Sequence, residues 1–308
     1  MRIALTGATG FVGRHCVDRF LARGWNVRAW YRGANPPDRE GVEWIAGELD
    51  DTNAAASLIE GCDLVVHTAL SRRCDRFMDE PEDPVAYYQT NVLGTLRLIE
   101  AARRRFESTS TARSRFVFLS SGAVHQNVAD DLPLDERHPL WPASTYGAYK
   151  ASVETLIHAY GFSGKLNTAA LRPVSIVGVD DPVANSKWFD LVRSIADGKR
   201  GDRVDVSGGG KVVFVDDVVS AIELIIQNDQ AIAGNTYNLS SGFVSHHQVA
   251  TIAKQLSGSE VELEGHPKEG KTPMRTDKIK ALGMRFSDDT MLEKVVARLI
   301  GHAGTSDQ

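Results

Sequence analysis

The sequence predicts an α/β protein, a doubly wound parallel sheet followed by a smaller C-terminal lobe. Three features point there. Short β-rich runs alternate with longer helical patterns through the first half, as in a parallel sheet covered by helices on both faces. The turn between the first strand and the first helix is glycine-rich, "TGATGFVG" at 6–13. Beyond residue 174 the alternation stops and the pieces become shorter.

"RIALT" (2–6) reads as a buried strand. "FVGRHCVDRFLARG" follows as a helix, with Val12, Cys16, Phe20 and Leu21 at helical spacing and Gly24 as its stop. Further strands are expected at "NVRAWY" (26–31), "VEWIAG" (42–47), "DLVVHTA" (63–69), "RFVFLSS" (115–121) and "NTAALRPV" (167–174). Helical patterns lie near 52–60, 84–106 and 141–161. Right-handed crossovers make residues 1–174 a Rossmann-type dinucleotide-binding domain. Residues 175–300 form a smaller substrate lobe from pieces at 186–198, 215–227, 235–240, 245–258 and 261–265. The 215–227 helix and the 235–240 strand are candidates to return to the sheet, and 301–308 reads as a frayed tail.

Composition narrows the function. A hydrophobic content of 42% with 24% charged residues is that of an ordinary globular protein, and a net charge of -5 offers no basic excess for nucleic acid. No apolar run approaches a membrane span. Cys16, Cys62 and Cys74 are scattered, without metal-ligand spacing, and read as reduced thiols. The apolar run beginning at residue 2 leaves no room for a signal peptide, so a cytoplasmic protein is expected. His246 and His247, adjacent at a helix start, point apart, and no metal is expected.

In the glycine turn, Gly7 permits a tight exit from the strand, Gly10 lets a pyrophosphate approach the backbone, and Gly13 lets the helix pack on the sheet. At the end of the second strand, where a carboxylate would bind the ribose 2′-OH of NAD, stand Tyr31 and Arg32. An arginine without a neighbouring acid favours NADP over NAD, with Arg14 as a possible second contact to the 2′-phosphate.

"STYGAYK" (144–150) places two tyrosines near one lysine. Helical positions four apart share a face, so Tyr146 pairs with Lys150 and Tyr149 does not. The lysine charge is expected to lower the Tyr146 pKa and suit it to general acid–base work. The serines of "FLSSGAVH" (118–125) fall at the carboxyl edge of the sheet, where ligands bind in open α/β folds.

Together "TGATGFVG", "NVLGTLRLIEAA" (91–102), "FLSSGAVH", "STYGAYKASVE", "LRPVSIVG" (171–178) and "VFVDDVVSAI" (213–222) resemble the successive motifs of extended short-chain dehydrogenase/reductases, and more narrowly the NAD-dependent epimerase/dehydratase family. The resemblance implies Ser121, Tyr146 and Lys150 as catalytic residues: Tyr146 the acid/base, Ser121 the holder of the substrate oxygen, and Lys150 on the nicotinamide ribose. Cofactor contacts are expected at Gly7, Thr9, Gly10, Phe11, Val12, Arg32, Glu48, Leu49, Thr68, Ala69, Leu70, Asn91, Tyr146, Lys150 and Pro173. In that set "HTAL" (67–70) lines the cofactor beside the ribose, and Asn91 supports the site geometry. Substrate contacts are expected at Ser121, Gly122, His125, Tyr146, Ser175, Trp188, Lys211 and Arg275, with Lys268 and Lys271 as further cations for a diphosphate.

The chain departs from the sugar-nucleotide pattern at three places. His125-Gln126 replaces Tyr-Gly, Ser175 replaces an asparagine, and Gly210-Lys211 replaces an arginine. Gly122-Ala123 offers no acid or base for a 4,6-dehydration. The expected activity is NAD(P)-dependent hydride transfer at a secondary alcohol or ketone of a sugar or nucleotide sugar, as a 4-epimerase or 4-ketoreductase. The alternatives are an NADP-dependent reductase of a non-nucleotide carbonyl and a catalytically silent cofactor-binding regulator. The expected partners are a small-molecule substrate and a second copy in a homodimer, without nucleic acid or membrane.

Overall fold

The computed structural model describes all residues except 73–78, 110–113, 130, 230–232, 271 and 304–308. Cys74, Lys271 and most of the expected tail therefore lie outside the described residues. In chain order the strands are β1 (Arg2–Thr6), β2 (Asn26–Tyr31), β3 (Val42–Ala46), β4 (Leu64–His67), β5 (Phe116–Leu119), β6 (Thr168–Pro173), β7 (Ser175–Val177), β8 (Arg203–Asp205), β9 (Gly209–Phe214), β10 (Asn235–Leu239), β11 (Gly242–Ser245) and β12 (Glu262–Glu264). The helices are α1 (Phe11–Ala22), α2 (Thr52–Ile59), α3 (Pro84–Tyr88), α4 (Gly94–Thr109), α5 (Thr145–Phe162), α6 (Phe189–Ala196), α7 (Val215–Gln227), α8 (His246–Ser257), α9 (Asp277–Ala281) and α10 (Asp289–Ala303).

The chain divides into two compact units. The first comprises residues 1–173, 219–239 and 276–284. Its seven strands are all parallel, in the order β10-β6-β5-β4-β1-β2-β3. β4, β5 and β6 are buried along their whole length, as strands covered on both faces must be. The order reverses between β1 and β4, the switch point at whose carboxyl edge open α/β sheets bind their ligands. β10 extends the sheet beside β6, Asn235 facing Ala169. Residues 276–284, expected in the smaller lobe, join this unit as well.

Local sequence sets the helix starts. Asp51 caps α2 by accepting from the amides of Asn53 and Ala54 at 2.8 and 3.1 Å. Asp83 caps α3 ahead of Pro84, and Ser144 caps α5 through the Gly147 amide. The pattern expected as one helix over 84–106 is interrupted by a wider π-helical turn at Gln89–Leu93, which contains Asn91. Its apolar spacing gives no sign of that turn.

The second unit comprises residues 174–218, 240–275 and 285–308. A three-stranded sheet, β11-β9-β7, and a short parallel pair, β12-β8, accompany α6, α8 and α10. Trp188, Phe189, Val192, Val249, Val296 and Leu299 share its apolar core. Trp188 is 7% exposed and takes a left-handed φ of 73°, a conformation its bulk disfavours and its burial holds in place.

Candidate active site

β5 ends at Leu119 and delivers Ser120 and Ser121 to the carboxyl edge of the sheet. Ser121 is extended and caps a short 3₁₀ turn at Gly122–His125, accepting from the Ala123 amide at 3.1 Å. α5 starts against that turn. A Cβ on Gly147 would lie 2.6 Å from the Ala123 carbonyl, so only glycine admits this approach. The approach brings Tyr146 beside Ser121, whose hydroxyl acts to lower the phenol pKa.

Lys150 lies on the same face, one turn on. It is buried, and its Nζ donates to the Leu119 carbonyl at 2.7 Å. The ammonium stands 4.6 Å from the Phe118 ring centroid, 4.9 Å from Tyr149 and 5.7 Å from Tyr146. Burial lowers its pKa to about 7, against a raising influence from Glu154. Tyr146 behaves otherwise than the sequence suggested: burial raises its phenol, and what opposes the rise is the Ser121 hydrogen bond. Desolvation outweighs the influence of Ser121, and the phenol is held in its protonated form. Tyr149 is fully buried among Tyr87, Phe118 and Tyr146.

Beneath the site runs a polar network that the sequence reading did not single out. Arg172, buried near the end of β6, donates to both oxygens of the buried Glu154 at 2.6–3.0 Å. Ser120 donates to the same carboxylate. Arg172 also meets His125 Nε2 at 3.1 Å. His125 Nδ1 faces the Pro139 carbonyl at 3.2 Å, so Nδ1 carries the proton and Nε2 accepts from the guanidinium. Burial and Arg172 lower the His125 pKa to about 4. Both ring nitrogens are thus engaged within the protein, and the ring supports Arg172 instead of presenting a free polar atom to a substrate. A signal existed: a charged residue in the apolar strand "TAALRP" requires a buried partner, and Glu154 lies one turn after Lys150 on the same helix.

The glycine turn fits a dinucleotide. Gly7 has φ 76°, and a Cβ there would lie 2.7 Å from the Ala69 amide and the Thr68 hydroxyl. A Cβ on Gly13 would strike the Gly7 carbonyl at 1.9 Å. Gly10 stands at the N-cap of α1 and supplies no side-chain cap, which leaves the first amides of the helix available to phosphate oxygens. Thr9 and Gly10 are exposed there, with Phe11 half-buried and Val12 buried behind them. Tyr31 stacks edge-on with Trp44, and Arg32 is exposed just past β2. Arg14 donates to the Thr9 carbonyl at 3.0 Å. Glu48 is exposed, whereas Leu49 is buried in the core against the start of α4. Thr68, Ala69 and Leu70 are half-buried and Pro173 is buried. Asn91 clamps the backbone of Ser71, accepting its amide at 2.9 Å and donating to its carbonyl at 3.0 Å.

In the second unit Ser175 is exposed and accepts from Lys187 Nζ at 2.7 Å. Lys211 is half-buried on β9, and Lys268 and Arg275 are exposed. His246 packs against Gly208 and is influenced by both Lys187 and Lys268. Trp188 and Phe189 are core residues of this unit. Among the described residues no group of His, Cys, Asp and Glu could hold a metal ion, and no helix is long and apolar enough to cross a membrane.

The model of the NAD dependent epimerase/dehydratase family matches residues 3–240. The chain belongs to this family. It is 28% identical to a 4-hydroxy-2-methyl-3-oxo-4-farnesyl-3,4-dihydroquinoline-1-oxide ketoreductase of Stigmatella aurantiaca, over 87% of this chain and 76% of the relative. It is also 28% identical to a UDP-glucose 4-epimerase of Mycolicibacterium smegmatis, over 87% of this chain and 86% of the relative. A short-chain dehydrogenase/reductase superfamily protein from Agrobacterium tumefaciens, solved with bound NAD, is 25% identical and superposes with a TM-score of 0.76 over 100% of both chains. The protein is an NAD(P)-dependent enzyme of the epimerase/reductase type.

Proposed function

We propose that this family member transfers hydride at a secondary alcohol or ketone of a nucleotide sugar, as a 4-epimerase or 4-ketoreductase. The observation that carries the chemistry is the close approach of α5 to the Ser121 turn, which sets Tyr146 beside Ser121 with Lys150 buried one turn behind it. Bound NAD(P) supplies the hydride carrier at its nicotinamide ring. Gly7, Gly10 and the α1 amides hold its pyrophosphate. In the reducing direction Ser121 and Tyr146 donate hydrogen bonds to the substrate carbonyl oxygen, and Tyr146 gives up its proton as negative charge develops there. Lys150 stabilises the phenolate left behind. In the oxidising direction the same oxygen receives the alcohol proton. Gly122 and Ala123 supply no acid or base, which sets elimination chemistry aside.

The substrate class rests on the second unit and on the named activity of the mycobacterial relative. Lys187 and Lys211 have no carboxylate within ion-pair distance among the described residues, and desolvation lowers both pKa values. Such lysines gain from an anion such as a diphosphate. A second reading, an NADP-dependent ketoreductase of a non-nucleotide carbonyl, is favoured by Arg32 standing without an acid at Tyr31 and by the named activity of the Stigmatella relative.

Two measurements test the proposal. UDP, GDP or dTDP at millimolar concentration, with cofactor present, should raise the melting temperature by several degrees, because a ligand of the folded state stabilises it by mass action. No shift with any of them would remove the nucleotide-sugar reading in favour of the second. Denaturing the purified protein and identifying the released dinucleotide separates the two reaction types: retained NAD fits an epimerase, and an empty site that takes up NADPH fits a reductase.

A further inference from the structure

His67, the last residue of β4, is fully buried between β5 and α4 and has no route to a substrate. We propose that it is a positioning residue, the centre of a directional hydrogen-bond chain that ties the cofactor loop at 68–71 to the turn carrying Asn91.

The direction follows from proton counting. Thr95 Oγ1 lies 2.6 Å from the Asn91 carbonyl, which only accepts, so the single Thr95 hydroxyl proton is committed there. His67 Nε2, 2.8 Å from the same hydroxyl, must therefore be the donor. The neutral ring then accepts at Nδ1 from the Thr6 hydroxyl, 2.6 Å away. That hydroxyl has spent its proton and accepts from the Ala69 amide at 3.3 Å. The chain thus runs from Ala69 through Thr6, His67 and Thr95 to the Asn91 carbonyl, and the neighbouring Tyr149 hydroxyl can meet Thr95 only as a donor, which leaves that direction unchanged. The Asn91 side chain closes the circuit on Ser71, two residues beyond Ala69. One buried system holds the loop at two points while Thr68 and Ala69 press against Gly7. A leucine at 67 would pack beside Phe116 and Phe118 but would leave Thr6 and Thr95 without their shared partner. Burial and the neighbouring Lys150 hold the His67 pKa down at about 3, so no second positive charge appears beside the catalytic lysine.

Thr6→Val, Thr95→Val and the double variant test the chain, with NADH and NADPH dissociation constants read by fluorescence titration beside turnover and melting temperature. Each single change should weaken cofactor binding about fivefold to tenfold, the loss of one buried hydrogen bond. The double variant should be no weaker than the worse single one, since a broken chain cannot be broken again. Turnover at saturating cofactor should change less than about twofold. Multiplying losses, or a lower melting temperature with unchanged cofactor binding, would reduce His67 to an ordinary core residue. Nitrogen NMR of the wild-type imidazole gives an independent check. The ring should be the Nε2–H tautomer and should not titrate between about pH 5 and 8; an Nδ1–H tautomer or a titrating ring overturns the assignment.

Discussion

The charged groups proposed for the chemistry and those proposed for the substrate are partnered differently. In the first unit, the charged groups near the reaction centre are buried and partnered: Arg172 is clamped on Glu154, His125 is engaged at both nitrogens, and Lys150 is seated on the Leu119 carbonyl. In the second unit, Lys187, Lys211 and Lys268 have no acid within ion-pair distance among the described residues, and Ser175 is exposed. Burial and pairing fix positions to within tenths of an ångström, which proton transfer requires. Open cations wait for an anion and tolerate changes in its shape. On the proposed function, the first group serves the chemistry and the second the choice of what it acts on.

The largest effect should come from the most constrained group. Tyr146→Phe removes the phenol beside Ser121 and should lower turnover by about 10²- to 10⁴-fold, with cofactor dissociation nearly unchanged. Tyr149→Phe, on the buried face, should retain most of the activity. Steady-state kinetics on the two variants decide the matter, and a reversed order would refute the helix-face assignment.

The ion pair beneath the site should dominate stability. Glu154→Gln leaves the Arg172 guanidinium buried against a neutral group and should cost about 3–5 kcal/mol in denaturant unfolding. Arg172→Met combined with Glu154→Leu should recover much of that loss, because two apolar side chains leave no uncompensated charge. If Glu154→Gln is as stable as the wild type, the network is not the anchor of α5 on β6 that its geometry indicates.

Lys150 should leave a signature in the pH dependence of stability. Its folded pKa, about 7, lies below the ordinary lysine value of 10.5. Between those values the unfolded chain binds the extra proton, so stability rises with pH through that window. The buried thiols Cys16 and Cys62 act in the opposite sense at higher pH, since their folded pKa values are raised to about 12 and 11. The clean comparison is therefore wild type against Lys150→Met between about pH 7 and 9, below the thiol range. The variant should lack the rise. Parallel curves would show that Lys150 titrates normally in the folded protein.

Much of the first unit was legible in the sequence because its signals are local. The β1 and β2 boundaries, the Gly7–Gly10–Gly13 turn, and the shared face of Tyr146 and Lys150 all follow from spacing within one or two turns of chain. The energetics of that pair were not legible, since the desolvation that raises Tyr146 depends on what surrounds α5. The Arg172–Glu154 pair and the His67 chain join residues far apart in sequence, and the π-helical turn at Asn91, though local, leaves no mark on the apolar spacing. Trp188 shows the converse limit. An aromatic at a helix start reads equally as a ligand platform or a core anchor, and only its burial beside Phe189 favours the anchor.

The smallest effect should come from the second unit. Lys211→Ala and Lys187→Ala each remove one partly screened charge, worth about 0.2–1 kcal/mol toward a phosphate oxygen. Each should weaken a nucleoside diphosphate by about 1.4-fold to fivefold and trim its thermal shift, while cofactor affinity and the pH profile of turnover stay fixed. Calorimetric titration of UDP, with cofactor at saturation, reads the change directly. A loss of cofactor affinity in the same variants would mean that these lysines serve the dinucleotide, and the separation of chemistry from selection would fail where it is now drawn. An unchanged UDP affinity in both would move substrate selection to other residues of the unit, with Arg275 and Lys268 next in line.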